Sequence, residues 1–231
     1  MKVIKKLVIV ILIVIFGISM YFGIKGFSMY NEAISEKSLK EKVLEIESKE
    51  NYTKIDEIPQ TYINAVISVE DHRFYNHCGI DVIAIARATI NDIKEMSFVE
   101  GGSTITQQLA KNIYFTQEKR IERKVAEVFM AFDLEKNYKK DKILELYINT
   151  SYFGDNCYTL KEASKHYFNK EPKEMTDYEC IMIAGVPNAP SVYAPTVNLK
   201  LAKERQRQVA SKMVENGYLT QDEMDKILES E

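Results

Sequence analysis

The sequence predicts an all-α protein with one N-terminal transmembrane helix, on three observations. Residues 7–24, LVIVILIVIFGISMYFGI, contain no charged side chain. The rest of the chain divides into amphipathic segments, three of which open on capping boxes: Thr159-x-x-Glu162, Thr176-x-x-Glu179 and Thr220-x-x-Glu223. No hairpin signal and no run of alternating strands interrupts them.

The apolar run comes first. Eighteen residues at about 1.5 Å rise give ~27 Å of helix, close to the ~30 Å hydrocarbon core of a bilayer. A cleaved signal has a shorter apolar stretch and small residues at the cut, whereas Met20-Tyr21-Phe22 is bulky. The run therefore reads as an uncleaved anchor. Lys2, Lys5 and Lys6 precede it, which predicts a cytoplasmic N-terminus and an outward-facing body at the plasma membrane.

The 231 residues carry 31 basic and 34 acidic side chains, a net charge of −3. Without the three leading lysines the balance is 28 against 34, or −6. An acidic body argues against nucleic acid as a partner. The three cysteines, Cys78, Cys157 and Cys180, form no CxxC pair and no metal-like spacing. They read as unpaired small apolar residues.

Residues 26–56 follow as a polar, charge-rich helical linker, and 57–231 form a single domain without internal repeats. Periodicity places helices at 59–71, 80–95, 103–114, 120–136, 140–150, 159–168, 176–185, 198–216 and 220–229. Three stretches break the pattern: a mobile apolar loop around Phe98-Val99 and Gly101-Gly102, a turn at 152–156, and a rigid turn at 187–191.

Three places could carry chemistry. On the first helix Ile63, Val66, Ile67 and Glu70 share one face. Glu70 either extends the apolar stripe as a desolvated acid–base group or ends the helix in solvent, and periodicity alone weighs toward solvent. In GGSTITQQLAKN, 101–112, Ser103 reads as the N-cap of a glycine-led helix whose N–H groups could receive an anion. Gln108 and Lys111 follow on one face. On the helix at 120–136, Ile121, Val125, Val128, Phe129 and Phe132 read as the buried stripe. Arg123 and Glu127 stand i, i+4 beside Lys124, a pair that is ordinarily exposed and weak. Across 111–124, Lys111, Lys119, Arg120, Arg123 and Lys124 outweigh Glu118 and Glu122 by +3, which suggests an anionic ligand.

These segments, in this order, resemble the peptidoglycan glycosyltransferases of family 51, also found as the N-terminal half of bifunctional penicillin-binding proteins. The matching stretches are EDHRFYNHCGID (70–81), GGSTITQQLAKN, RKVAE (123–127), KDKILELYINTSYFG (140–154) and AGVPNAPSVYAP (184–195). The resemblance implies a lysozyme-like head with a small membrane-touching jaw, and polymerisation of lipid II into β-1,4 glycan strands with inversion. It implies Glu70 and Glu127 as the catalytic carboxylates and Lys111, Lys119, Arg123, Gln108 and Ser103 as substrate-binding residues. Asp71 would support Glu70. Lys119 stands where many members have arginine, so Lys119 or the adjacent Arg120 would reach the diphosphate. A divalent cation, magnesium or manganese, is permitted beside a pyrophosphate, but no ligand spacing demands one. Other cell-wall synthesis proteins are expected partners.

No Ser-x-x-Lys occurs in the sequence, which resembles the monofunctional type without transpeptidase activity. Two other readings stand beside the transferase: a lysozyme-like glycan hydrolase and a non-catalytic cell-wall scaffold. The apolar part of 82–100, including Phe98, either dips into the membrane surface or packs against the head.

Overall fold

The computed structural model describes residues 2–95, 101–116, 118 and 120–230. Among them are twelve α-helices and no strand, only an isolated bridge between Cys78 and Ile80. The all-α class stands.

Helix α1, Lys2–Glu36, is one unbroken rod of 35 residues, ~52 Å long at about 1.5 Å per residue. Its first part is apolar on every side and uncovered, with Leu7, Ile11 and Phe16 all exposed. That pattern suits lipid rather than water. From Gly26 onward the same helix lies on the body. Gly26 is buried, and a Cβ there would come within 2.5 Å of the Val125 Cβ, so only glycine admits this approach.

A capping box at Ser38 and Glu41 opens α2, Leu39–Glu47, which buries Leu39, Val43 and Ile46 in the core. Helix α3 is Gln60–Glu70, α4 Val82–Glu95, α5 Ile105–Tyr114 and α6 Ile121–Asn137. Then come α7, Lys140–Ile148, α8, Leu160–Phe168, and α9, Asp177–Ala184. Finally α10 is Pro190–Tyr193, α11 Leu199–Glu215 and α12 Gln221–Glu229. Helix α3 packs against α9 and α11, while α5 packs against α6 and α7. Tyr62, Phe74, Ile105, Leu109, Leu146 and Phe153 are fully buried between these groups.

Thr176 and Thr220 form complete capping boxes. At Thr159 only half forms: its hydroxyl caps Glu162 N, but the Glu162 carboxylate accepts from Tyr158 N and Asn51 instead. The turn at 152–156 holds three successive left-handed residues, Gly154, Asp155 and Asn156. The rigid turn at 187–191 is a 3-10 turn running into α10.

The expected stripe on α6 is wrong. Ile121 and Phe132 are 58% and 42% exposed. Val125 and Phe129 face α1: Gly26 meets Val125, and the Phe27 and Phe129 rings stack edge-on at 5.2 Å. The face turned to the core is Ala126, Glu127, Met130, Ala131 and Leu134. Small residues admit the close crossing of α5, and a second partner, α1, takes the large ones. The proposed stripe followed side-chain size and so traced the wrong neighbour.

The expected loop around Phe98 falls mainly on 96–100, which lie outside the described residues, as does Lys119. Of that loop, Gly101 and Gly102 are described. The three cysteines are unpaired, Cys78 exposed and the other two buried.

Candidate active site

Helix α3 ends at the site. Its apolar residues Ile63, Val66 and Ile67 are buried, and Glu70 follows on the same face at the wall of a cleft of about 620 Å3. Glu70 is half-buried. Gln108 Nε2 donates to Glu70 Oε2 at 2.7 Å, and the Tyr147 hydroxyl donates to Gln108 Oε1 at 3.3 Å. That second contact fixes which end of the amide faces the carboxylate. Burial raises the Glu70 pKa above its ordinary value of 4.5, while the Gln108 hydrogen bond and the Arg205 and Lys111 charges pull the other way. The solvated reading of Glu70 is therefore corrected: the carboxyl is held and desolvated.

Asp71 follows Glu70 at the end of α3 and is buried. Its carboxylate accepts from Ile105 N at 3.0 Å and lies 2.9 Å from His77 Nε2. This ties the start of α5, and with it Gln108, to the end of α3. Two expectations change here. Thr104, not Ser103, caps α5: its hydroxyl accepts from Gln107 N and donates to Gly79 O at 2.6 Å. The anion held at the α5 N-terminus is Asp71 itself, bonded by Ile105 N–H, and the Gln107 N–H is taken by the Thr104 hydroxyl. Ser103 Oγ instead accepts from Lys124 Nζ at 2.6 Å.

Helix α6 brings the second carboxylate. The Glu127 side chain is 1% exposed, paired with Arg123 on one oxygen and with Lys124 at 2.8 Å on the other. The expectation of an exposed, weak pair is thus corrected. The cause is the misread stripe: Glu127 belongs to the core face of α6. Arg123 Nε also donates to Glu118 O at 2.6 Å. Lys111 is half-buried on α5. Burial lowers its pKa, the Glu127 charge raises it, and Arg123 and Lys124 lower it. Glu127, Arg123, Lys124 and Lys111 are thus one electrostatic group. Arg120 is 61% exposed beside Glu118.

The sequence placed Lys124 only in the basic cluster and gave Arg205 no role, yet both belong here. Lys124 joins Ser103 to Glu127, and its i, i+3 spacing from Glu127 was a usable signal. Arg205, on α11, lines the cleft with Glu70 across 135 residues of chain, and no local pattern announces it. Among the described residues no group of three or more His, Cys, Asp or Glu side chains is arranged to hold a metal ion.

The arrangement offers a desolvated carboxylate in an open cleft and, joined to the cleft through the Lys124–Ser103 hydrogen bond, cations gathered around a second, charge-compensated carboxylate. Proton abstraction beside a developing negative charge is the chemistry this supports, the design of a group-transfer enzyme. The transglycosylase family model matches residues 36–214, and the chain belongs to that family. It is 44% identical over 185 residues to penicillin-binding protein 1A of Neisseria gonorrhoeae, covering 80% of this chain and 23% of the relative. It is 48% identical over 166 residues to penicillin-binding protein 1F of Bacillus subtilis (strain 168), covering 72% and 23%. The chain thus spans about a quarter of the length of these relatives. A solved structure of penicillin-binding protein 1A from Haemophilus influenzae matches 55% of this chain and 16% of that one, at 28% identity and a TM-score of 0.38.

Proposed function

We propose that this chain is a membrane-anchored peptidoglycan glycosyltransferase that polymerises lipid II. The observation that carries the reading is Glu70: a desolvated carboxylate at a cleft wall, gripped by Gln108, with the Lys111–Arg123–Lys124 cations nearby. Glu70 takes the proton from the 4-hydroxyl of the acceptor's N-acetylglucosamine. That oxygen attacks the anomeric carbon of the lipid-linked donor from the face opposite the phosphate. The carbon–oxygen bond to the diphosphate breaks, and a β-1,4 linkage forms with inversion. Undecaprenyl pyrophosphate departs with the bonding electrons. Lys111, Lys124 and Arg123 stabilise the charge that develops on it. Glu127 keeps the two α6 cations aligned. Lys119 would add to this group.

Helix α1 holds the body at the outer membrane face, with the N-terminus in the cytoplasm. The membrane and the lipid-linked strand are partners on this reading, as are other cell-wall synthesis proteins. Incubating the full chain, reconstituted in detergent or liposomes, with labelled lipid II tests it. Elongating strands are the expected products. Shortening of preformed strands would support the hydrolase instead, and no turnover would support the scaffold.

A further inference from the structure

Glu70 must be ionised to act as a base, and burial works against that. The groups facing it come from five places. Gln108 and Lys111 lie on α5, Tyr62 on α3, Tyr147 on α7, Asp71 just beyond α3, and Arg205 on α11. His72, Asp81, Arg87, Lys212 and Glu215 line the same cleft farther along its walls. Of these, Lys111 and Arg205 are the cations that favour the charged form of Glu70, and Arg205 acts the more strongly.

The two cations sit in different company. Lys111 shares its field with Glu127, Arg123 and Lys124. On the reading above, that group is where the donor's diphosphate binds. An occupied donor site therefore cancels the Lys111 charge and adds negative charge near Glu70, just when a base is needed. Arg205 belongs to another wall. Its Cγ lies 2.8 Å from where a Cβ on Gly185 would stand, so glycine makes room for the stem. Its guanidinium sits over the Tyr193 ring, 5.7 Å from the centroid, and Nη1 donates to Gln208 at 3.1 Å. Its Nε is buried without a hydrogen-bond partner among the described residues. Tyr193, Gly185 and Gln208 hold the side chain, with no ion pair to a carboxylate among the described residues, and it lines the cleft.

We propose that Arg205, which lines the cleft with Glu70, is a positioning residue whose fixed charge keeps Glu70 in its carboxylate form once the anionic donor occupies the Lys111–Arg123–Lys124 group. The proposal rests on Glu70 being the acceptor's base. It assigns Gly185 and Tyr193, within the last family-like motif, the task of seating that arginine.

The test is the pH profile of lipid II polymerisation by the full chain, comparing wild type, Arg205→Gln and Arg205→Lys. In Arg205→Gln the acid limb of kcat moves to higher pH. A limb moved by about one unit means roughly tenfold lower kcat on the acid side, with most activity regained above the limb. The shift is larger in kcat than in kcat/KM, because kcat reports the donor-loaded enzyme. Arg205→Lys keeps the limb near its wild-type position. Tyr193→Leu, which removes the ring under the guanidinium while keeping its charge, moves the limb the same way by less. It serves if Arg205→Gln does not fold. Loss by one common factor at every pH would overturn the proposal and leave Arg205 a structural residue. A wild-type chain that fails to elongate lipid II would overturn the functional reading itself, and this inference with it.

Discussion

Arg123→Ala measures whether the second carboxylate is buried in an energetic sense. An exposed i, i+4 ion pair contributes about 0.3–0.5 kcal/mol. Breaking a buried pair by removing one partner costs ~3–5 kcal/mol, because an uncompensated charge is left behind. Here Glu127 is 1% exposed and Arg123 13%, which favours the second case. Lys124 still reaches the other oxygen at 2.8 Å, although it is 46% exposed and partly screened. The expected loss is therefore intermediate, ~2–3 kcal/mol. At about 2–4 °C per kcal/mol for a chain of this size, Tm falls by ~4–12 °C. Thermal unfolding of the full chain in detergent at about pH 7.5 reads this directly. The double variant Arg123→Ala, Glu127→Gln removes the charge that would be stranded, so it recovers more than half of the loss. A Tm for Arg123→Ala within ~1 °C of wild type would refute the argument, since an exposed pair predicts that result.

Other expectations follow from the same contacts. Glu70→Gln lowers lipid II polymerisation by about 10²–10⁴-fold while donor binding persists; unchanged turnover would remove Glu70 from the mechanism. Because the folded pKa of Glu70 is raised, its ionisation opposes folding as pH rises through the unfolded value. Glu70→Gln therefore raises Tm increasingly as pH climbs above the unfolded value of about 4.3, and the gain vanishes below it, where both states are protonated. Thr104→Ala costs ~1–2 kcal/mol through the lost cap, whereas Ser103→Ala costs under ~0.5 kcal/mol; equal losses in denaturant titrations would restore Ser103 as the cap. Gly26→Leu forces α1 away from Val125 and costs ~1–3 kcal/mol by overpacking, while Gly17→Leu, which meets nothing within 4 Å, leaves Tm unchanged.

Where the sequence was readable, one local signal decided the outcome. The nine helices expected in the body all exist, because capping boxes and the 3.6 period are properties of adjacent residues. Where it misled, two elements competed for one segment. On α6 the large residues were taken for the core stripe, yet α1 claims Val125 and Phe129 while the core accepts Ala126, Ala131 and Glu127. The Ser103-Thr104 pair offered two plausible caps, and the choice fell to Gly79, which anchors the threonine hydroxyl from 25 residues away. Glu70 could not be resolved from its own helix, because what desolvates and holds it comes from α5 and α11. Arg205 was invisible for the same reason. Spacing reports what one element presents, and a site assembled from four elements is legible only where each carries a motif.

The α1–α6 contact relates the anchor to the chemistry. Gly26 meets Val125, Phe27 and Tyr30 meet Phe129, and the Tyr30 hydroxyl reaches Asp133 at 3.3 Å. Residue numbers rise together along both helices, so α1 and α6 run parallel. The N-terminal turn of α6, which bears Arg123 and Lys124, therefore stands level with the end of the apolar run near Ile24 and Lys25. On the membrane-anchored reading that level is the lipid headgroup region, where the diphosphate of a lipid-linked sugar lies. The −6 charge of the body conceals a cationic end whose height is set by Gly26. Of the three glycines on α1, Gly26 alone meets a neighbour, the Val125 Cβ within 2.5 Å of where its own would stand, so this residue sets how closely α1 packs on α6 and, on the proposed reading, the height at which Arg123 and Lys124 meet the membrane.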